Sequence, residues 1–215
     1  MIKGVILDLD GTLLDSMEIW DSIIERYLIA EGYEPTEDLS QFAGSMSMRQ
    51  ACELVKKTYG MQKTTDELLD GIVSMAGDYY RYEVSLKPGA EAFLKGLREN
   101  GVAICAATAN DRALAEPALE HNGVLEYFLK VFSCNDLHCS KDEPTVYRTA
   151  ARFMGFKDDE VMVFEDSLHA LLTAKNAGFQ TAAVFDAHEK AQDVMKETAD
   201  LYLETLAVPV SVVLG

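Results

Sequence analysis

Two aspartates at the end of a short apolar run are the first groups in the chain that could do chemistry. The stretch is Gly4-Val5-Ile6-Leu7-Asp8-Leu9-Asp10-Gly11-Thr12. Its apolar part reads as a buried strand. Strand side chains alternate with a period of two, so Asp8 and Asp10 leave the strand end on the same side. Carboxylates held that close repel each other unless a cation lies between them or one keeps a proton. Gly11 lets the chain turn and lets a ligand approach the backbone. Strand ends are also where open parallel α/β sheets take their ligands. The pattern suits a hard divalent cation and a carboxylate nucleophile. A calcium-binding EF-hand loop also begins Asp-x-Asp, but its twelfth residue is acidic, and here that place falls to Ile19. Taken alone, the stretch also reads as a strand followed by a polar turn.

Three further sets of polar residues sit at comparable places. The buried run 102–107 ends in Thr108-Ala109-Asn110-Asp111, and the run 161–164 ends in Glu165-Asp166-Ser167. Lys141 precedes a helical pattern over 145–154. Each set has a plain explanation by itself: helix caps for the first two, a solvated loop lysine for the third. In a doubly wound sheet, however, strand ends converge on one crevice, and four such sets in register point to a site.

The elements that must position them follow from periodicity. Met17 to Ala30 reads as a helix with Ile19, Ile23, Ile24, Tyr27 and Leu28 on one face, and Asp15 or Ser16 as its cap. Further helices are predicted over 48–59, with Ser47 as cap, and from Thr64 or Thr65 to Tyr82. Residues 15–85 therefore form an all-helical block. From Lys87 onward helices and strands alternate: helix 91–100, strand 102–107, a helix to His121, strand 131–134, helix 145–154, strand 161–164, helix 168–177, strand 181–185 and strand 201–203. Pro117 belongs in the first turns of its helix or kinks it. The tail 210–214 reads as a helix end or an edge strand. Such alternation argues for an α/β fold, a Rossmann-like parallel sheet with helices on both faces. The core comprises 1–14 and 86–215, and the helical block 15–85 is inserted after the first strand.

Composition narrows the function. The 215 residues are 48% hydrophobic, enough for a packed core, and carry a formal charge of −17. That charge argues against nucleic acid or an anionic membrane as partner. It also opposes an anionic substrate unless a local cation or metal intervenes. No apolar run reaches the roughly 18 residues of a spanning helix. With no signal-peptide pattern ahead of the first strand, a cytoplasmic location and a monomer are expected. The cysteines at 52, 105, 134 and 139 lack paired spacing. Cys105 and Cys134 read as reduced core thiols. Cys134, His138 and Cys139 offer three soft ligands at a spacing unusual for zinc.

The four sets, in this order, resemble the motifs of the haloacid dehalogenase (HAD) superfamily: Asp8-Leu9-Asp10-Gly11-Thr12 the first, Thr108 the second, Lys141 with Pro144 the third, and Val163-Phe164-Glu165-Asp166-Ser167 the fourth. The helical insert and the spacing from Lys141 to Asp166 are similar to the β-phosphoglucomutase-like phosphatase branch with its helical cap. The resemblance spans almost the whole chain. It implies a phosphatase in which Asp8 attacks phosphorus and Asp10 serves as acid and base. It further implies Mg²⁺ on Asp8, Asp10 (through its backbone carbonyl), Asp166 and Glu165. The phosphate would be held by Leu9 and Asp10 amides, Thr108, Ala109, Asn110 and Lys141, with Lys141 balancing charge on phosphate and nucleophile.

The chain departs from the phosphomutase members of that branch. Where they usually carry a cap histidine and basic residues beside a cap glycine, this chain has Trp20 and Ala43-Gly44-Ser45, with Arg49 the nearest base. Lys141 lacks an adjacent proline, and His169-Ala170 replaces a small-Gly pair. The cap set Trp20, Gly44, Ser45 and Arg49 is thus expected to bind the distal part of a small phosphorylated metabolite by shape and stacking. The expected activity is hydrolysis of a phosphomonoester. A hexose phosphomutase is the alternative within the fold. A dehalogenase is disfavoured because it does not need Asp10, and a catalytically idle phosphate- or metal-binding regulator is disfavoured by the intact aspartate pair.

Overall fold

The computed structural model describes residues 1–36 and 48–214. Six parallel strands form one sheet in the order β5-β4-β1-β6-β7-β8. They are β1 (Gly4–Leu7), β4 (Ala103–Thr108), β5 (Lys130–Ser133), β6 (Val161–Glu165), β7 (Gln180–Val184) and β8 (Leu201–Leu203). The first strand is central. From it the chain builds outward to β4 and β5 on one side, then crosses to β6, β7 and β8 on the other. Register explains why the chemistry gathers at one edge. Leu7 pairs with Ala106 on one side and Phe164 on the other. Asp8 and Glu165, the next residues along, therefore emerge side by side, and the Asp8 amide donates to the Phe164 carbonyl at 3.0 Å.

Helices α4 (Ala90–Glu99), α5 (Arg112–His121), α6 (Thr145–Met154), α7 (Leu168–Asn176), α8 (Gln192–Thr198) and α9 (Ser211–Leu214) accompany the sheet. Helix α6 buries Val146, Tyr147, Ala150 and Ala151, a stripe at helical spacing. That stripe packs with Ile6, Cys105, Phe132 and Val163 in the main apolar core. Helix α4 sends Phe93 edge-on against Phe164, with ring centres 5.6 Å apart. Pro117 lies inside α5, in its second turn, and the tail is helical. Two features escaped the sequence. One is a two-stranded ribbon of β2 (Leu14–Asp15) with β3 (Ser85–Leu86). The other is α8. A ribbon two residues deep has no periodicity to read.

Residues 16–83 form a separate compact unit. It contains α1 (Met17–Ala30), α2 (Met48–Tyr59) and α3 (Thr65–Tyr82). Helix α3 begins at a capping box: Thr64 accepts from the Glu67 amide while the Glu67 carboxylate accepts from the Thr64 amide. Ser16 stands at the cap position of α1 without a side-chain cap bond. The Ser47 cap lies outside the described residues. No described helix is long and apolar enough to cross a membrane.

The ribbon is tied to the end of β7. Lys87 donates its backbone amide to the Leu13 carbonyl at 2.9 Å and its ammonium to Asp186 at 2.7 Å, and His188 Nδ1 lies 2.8 Å from the same carboxylate. Burial opposes charge on Asp186, but Lys87 and His188 outweigh it and hold its pKa below the ordinary value. A depressed carboxyl pKa stabilises the fold above the unfolded value and stops doing so as pH falls through the folded one. Asp186→Asn is therefore expected to lower the melting temperature at pH 7, with the deficit against the parent shrinking below about pH 4. Thermal melts of both proteins across pH check this.

Candidate active site

The site begins where β1 runs out. After Leu7 the chain turns back on itself, and the amides of Leu13 and Leu14 both donate to the Leu9 carbonyl, at 2.9 and 2.8 Å. Gly11 makes the turn possible with φ of +80°, a left-handed conformation open mainly to glycine. It also leaves room for a neighbour: a Cβ at Gly11 would stand 2.3 Å from Asp166 Oδ2. Thr12 donates its hydroxyl to Asp166 Oδ1 at 3.0 Å. Turn and strand end together seat Asp166 against the Asp8 loop.

Lys141 is the hub. Its side chain is only 7% exposed, and its ammonium donates to Asp8 Oδ1 and, at 2.7 Å, to Glu165 Oε1. Burial alone would strip its proton, but the two carboxylates prevail and its pKa is raised. The solvated-lysine reading therefore fails. Tyr147, on the inner face of α6, donates to the same Glu165 oxygen at 2.7 Å. The other Glu165 oxygen is buried with no hydrogen-bond partner among the described residues. Burial, relieved in part by Lys141 and reinforced by Asp8, pushes the Glu165 carboxyl up to about 7. Burial and the repulsion of Asp8 and Glu165 likewise raise the Asp166 pKa well above its ordinary value.

The carboxylates of Asp8, Glu165 and Asp166 can each offer an oxygen within 4.8 Å of the others, the one such acidic, histidine or cysteine cluster among the described residues. Three buried carboxylates share a single buried ammonium. That deficit of positive charge, the orphaned Glu165 oxygen and the all-oxygen donor set fit a hard divalent cation.

The second wall comes from the end of β4. Thr108 is fully buried, and its hydroxyl oxygen accepts from the Asn110 amide at 3.0 Å. The Asn110 side chain donates to Asp10 Oδ2 at 2.8 Å. Ser133, at the end of β5, donates to the Asn110 carbonyl at 2.8 Å. Neither set is a simple helix cap: α5 is entered through Asp111 and α7 through Ser167, and neither side chain makes a cap bond. The structure therefore brings Asp8, Lys141, Glu165 and Asp166 into one cluster and joins Asp10 to Asn110, with buried Thr108 beside Asn110. The helical unit holds the rest. Trp20 donates its indole N–H to Tyr80 at 3.0 Å, and Arg49 pairs with Asp66 at 2.7 Å. Gly44 and Ser45 lie outside the described residues.

The family model of the haloacid dehalogenase-like hydrolases matches residues 5–184. The chain belongs to this family. It is 26% identical over 211 residues to a Bacillus subtilis protein assigned as a phosphatase, across 96% of this chain and 93% of that one. It is 25% identical over 209 residues to phosphoglycolate phosphatase 1 of Pseudomonas aeruginosa, across 94% and 76% of the two chains. Among solved structures, a Thermotoga maritima protein assigned as a β-phosphoglucomutase is similar with a TM-score of 0.87 at 19% identity, over 99% of this chain and 98% of that one. At that identity the likeness concerns the fold.

Sequence reasoning missed Tyr147, Thr12 and Ser133. Tyr147 reads as one more core aromatic because its ring sits in the apolar stripe; only its hydroxyl belongs to the site. Gly11 has little latitude, being left-handed with Asp166 against the space a Cβ would fill. Gly11→Ala must combine a left-handed alanine with a methyl in contact with Asp166. It is expected to reduce hydrolysis of an aryl phosphate at least a hundredfold while raising the divalent-cation concentration needed for half-maximal rate, both read from metal titrations of the initial rate.

Proposed function

We propose that this HAD-like hydrolase is a cytoplasmic, monomeric Mg²⁺-dependent phosphatase that hydrolyses a small phosphomonoester, such as a sugar phosphate, through an aspartyl-phosphate on Asp8. The observation that carries the proposal is the buried Lys141 ammonium bridging Asp8 and Glu165 beside Asp166. A lysine held in that way fixes the direction of the Asp8 carboxylate and sets positive charge beside it, which suits a carboxylate nucleophile.

The steps follow from the residues. The Asp8 carboxylate attacks phosphorus, and the bond to the alcohol oxygen breaks. Asp10, oriented by the Asn110 amide, gives a proton to that leaving oxygen. Asp10 then takes a proton from water as the water attacks the phosphoryl group on Asp8, and inorganic phosphate and free Asp8 result. The Thr108 hydroxyl, whose oxygen already accepts from Asn110, still has its own proton to donate to a phosphate oxygen. The amides of Leu9, Asp10 and Ala109 complete the proposed cradle, and Lys141 spreads its charge over phosphate and Asp8. Asp8, Asp166, Glu165 and the Asp10 carbonyl are the proposed magnesium ligands; the bound ion supplies the positive charge that lets a phosphate dianion approach a carboxylate.

Asp8→Asn tests the nucleophile. A neutral amide cannot attack, so hydrolysis should fall by more than about a hundredfold with the melting curve still cooperative. Chelation of divalent ions should abolish turnover and added Mg²⁺ should restore it, whereas Ca²⁺, with its longer and looser coordination, should restore it poorly. Steady-state rates with an aryl phosphate read both.

Transfer to a second sugar hydroxyl needs a basic clamp that holds the intermediate away from water. Within the helical unit, Arg49 is already paired with Asp66 and Trp20 with Tyr80. Hydrolysis is therefore expected to win: β-glucose 1-phosphate, if accepted, should yield free phosphate faster than glucose 6-phosphate. Coupled assays for the two products measure the ratio, and the reverse order would identify a mutase.

A further inference from the structure

The segment that delivers Lys141 begins with two cysteines that the proposed chemistry does not use. Residues 134–139 leave β5 in a tight turn. The Cys139 amide donates to the Cys134 carbonyl at 3.0 Å, and the His138 amide to the Asn135 carbonyl at 3.2 Å. His138 is the one non-glycine residue with positive φ, at 51°, among those described. These are the paired bonds and left-handed residue of a Schellman turn. A contact between the side chains of its first and last residues commonly accompanies such a turn, and here both are cysteines. Cys134 belongs to the buried core, with Cys139 packed against that cluster, and both are free thiols. Burial first, then the neighbouring Cys139, pushes the Cys134 thiol up to about 12. The turn brings the two Cα atoms toward the span that a disulfide bridges, about 4.4–6.8 Å.

We propose that Cys134 and Cys139 form a peroxide-oxidisable dithiol whose disulfide pulls Lys141 out of register with Asp8 and Glu165. The activity arm of this inference rests on the phosphatase reading above. Cys139, half-buried, is the thiol that peroxide reaches first. Its sulfur takes one oxygen as the peroxide O–O bond breaks, leaving a sulfenic acid and one water. The Cys134 sulfur then attacks the Cys139 sulfur, the S–O bond breaks, the two protons leave with oxygen as a second water, and the S–S bond forms. Two thiols lose two electrons and one hydrogen peroxide gains them.

The movement has a direction. Cys134 is anchored, its amide donating to the Thr108 carbonyl at 2.9 Å. A disulfide is about 2 Å long, shorter than any contact between separate thiols, so with Cys134 anchored Cys139 supplies most of the travel. Lys141 lies two residues farther on and must hold two carboxylates at hydrogen-bond distance. A displacement of about 1 Å at such a group is enough to cost up to a hundredfold in rate.

The test uses the full chain, reduced, freed of reductant and treated with hydrogen peroxide. Free thiols are then alkylated under denaturing conditions and the peptides weighed. The expected peptide spans both cysteines, carries no alkyl group and lacks two hydrogens. Aryl phosphate hydrolysis falls at least tenfold in step with that species and returns on adding a dithiol reductant. Cys139→Ser, and separately Cys134→Ala, keep the reduced activity and resist peroxide. The inference is overturned if Cys139 accumulates sulfinic acid while Cys134 remains open to alkylation, if the disulfide forms with hydrolysis unchanged, or if Cys139→Ser is inactivated like the parent. A reduced chain with no phosphatase activity contradicts the functional reading instead, and the mass signature still judges whether the thiols couple.

Discussion

One buried ammonium serves three buried carboxylates, and the rest of the active end of the molecule is arranged around that imbalance. Taking Asp8, Glu165 and Asp166 out of water costs each its hydration, and placing them together adds mutual repulsion. Lys141 relieves two of them directly. Tyr147 and Thr12 add one hydrogen bond each, to Glu165 and Asp166. What remains is a negative hole in a low-dielectric setting, the state that a divalent cation completes. The same imbalance answers the difficulty posed by a chain of formal charge −17 acting on an anion. The global field is unfavourable, but at the proposed site Lys141 and a bound cation would lie within a few ångströms of a phosphate and would outweigh the distant surface.

The scaffold explains why such an expensive cluster persists. Its members stand on β1 and β6, neighbouring strands in the centre of the sheet, and on the segment leading into α6. All three rest on the apolar core that holds Ile6, Val163 and Val146. A strand end in a close-packed sheet has little freedom to splay its side chains apart, so repulsion is met by recruiting positive charge and donors rather than by relaxation. The Gly11 turn belongs to this constraint as well, since any side chain there would occupy the space of Asp166.

Most of the polar site was legible in the sequence because strand alternation and strand ends are local signals. Asp8, Asp10, Thr108, Asn110, Glu165 and Asp166 each follow an apolar run by one to three residues. The fold class was legible for the same reason: helices and strands alternate strongly from Lys87 onward. What escaped was non-local or too short. Tyr147 looks like core because its ring is core, and no sequence pattern reveals that its hydroxyl reaches Glu165. The ribbon of Leu14–Asp15 with Ser85–Leu86 joins residues some seventy positions apart through two-residue strands. The two cysteines of the 134–139 turn stand at a spacing unusual for zinc, and only the turn's backbone bonds show how closely their backbones approach. Trp20 and Arg49 lie on helices as expected, but their partners Tyr80 and Asp66 come from another helix of that unit.

The central claim is that Asp8 becomes covalently bonded to phosphorus, and chemical trapping addresses it directly. The enzyme is mixed with excess aryl phosphate and Mg²⁺, quenched during turnover, reduced with borohydride and mapped by peptide mass. An acyl phosphate is reduced to the alcohol whereas a free carboxylate is not, so the account predicts homoserine in place of aspartate at position 8 and at no other position, dependent on substrate. Substrate hydrolysed at full rate with Asp8 unmodified, or with the label on Asp10 or Asp166, would contradict it.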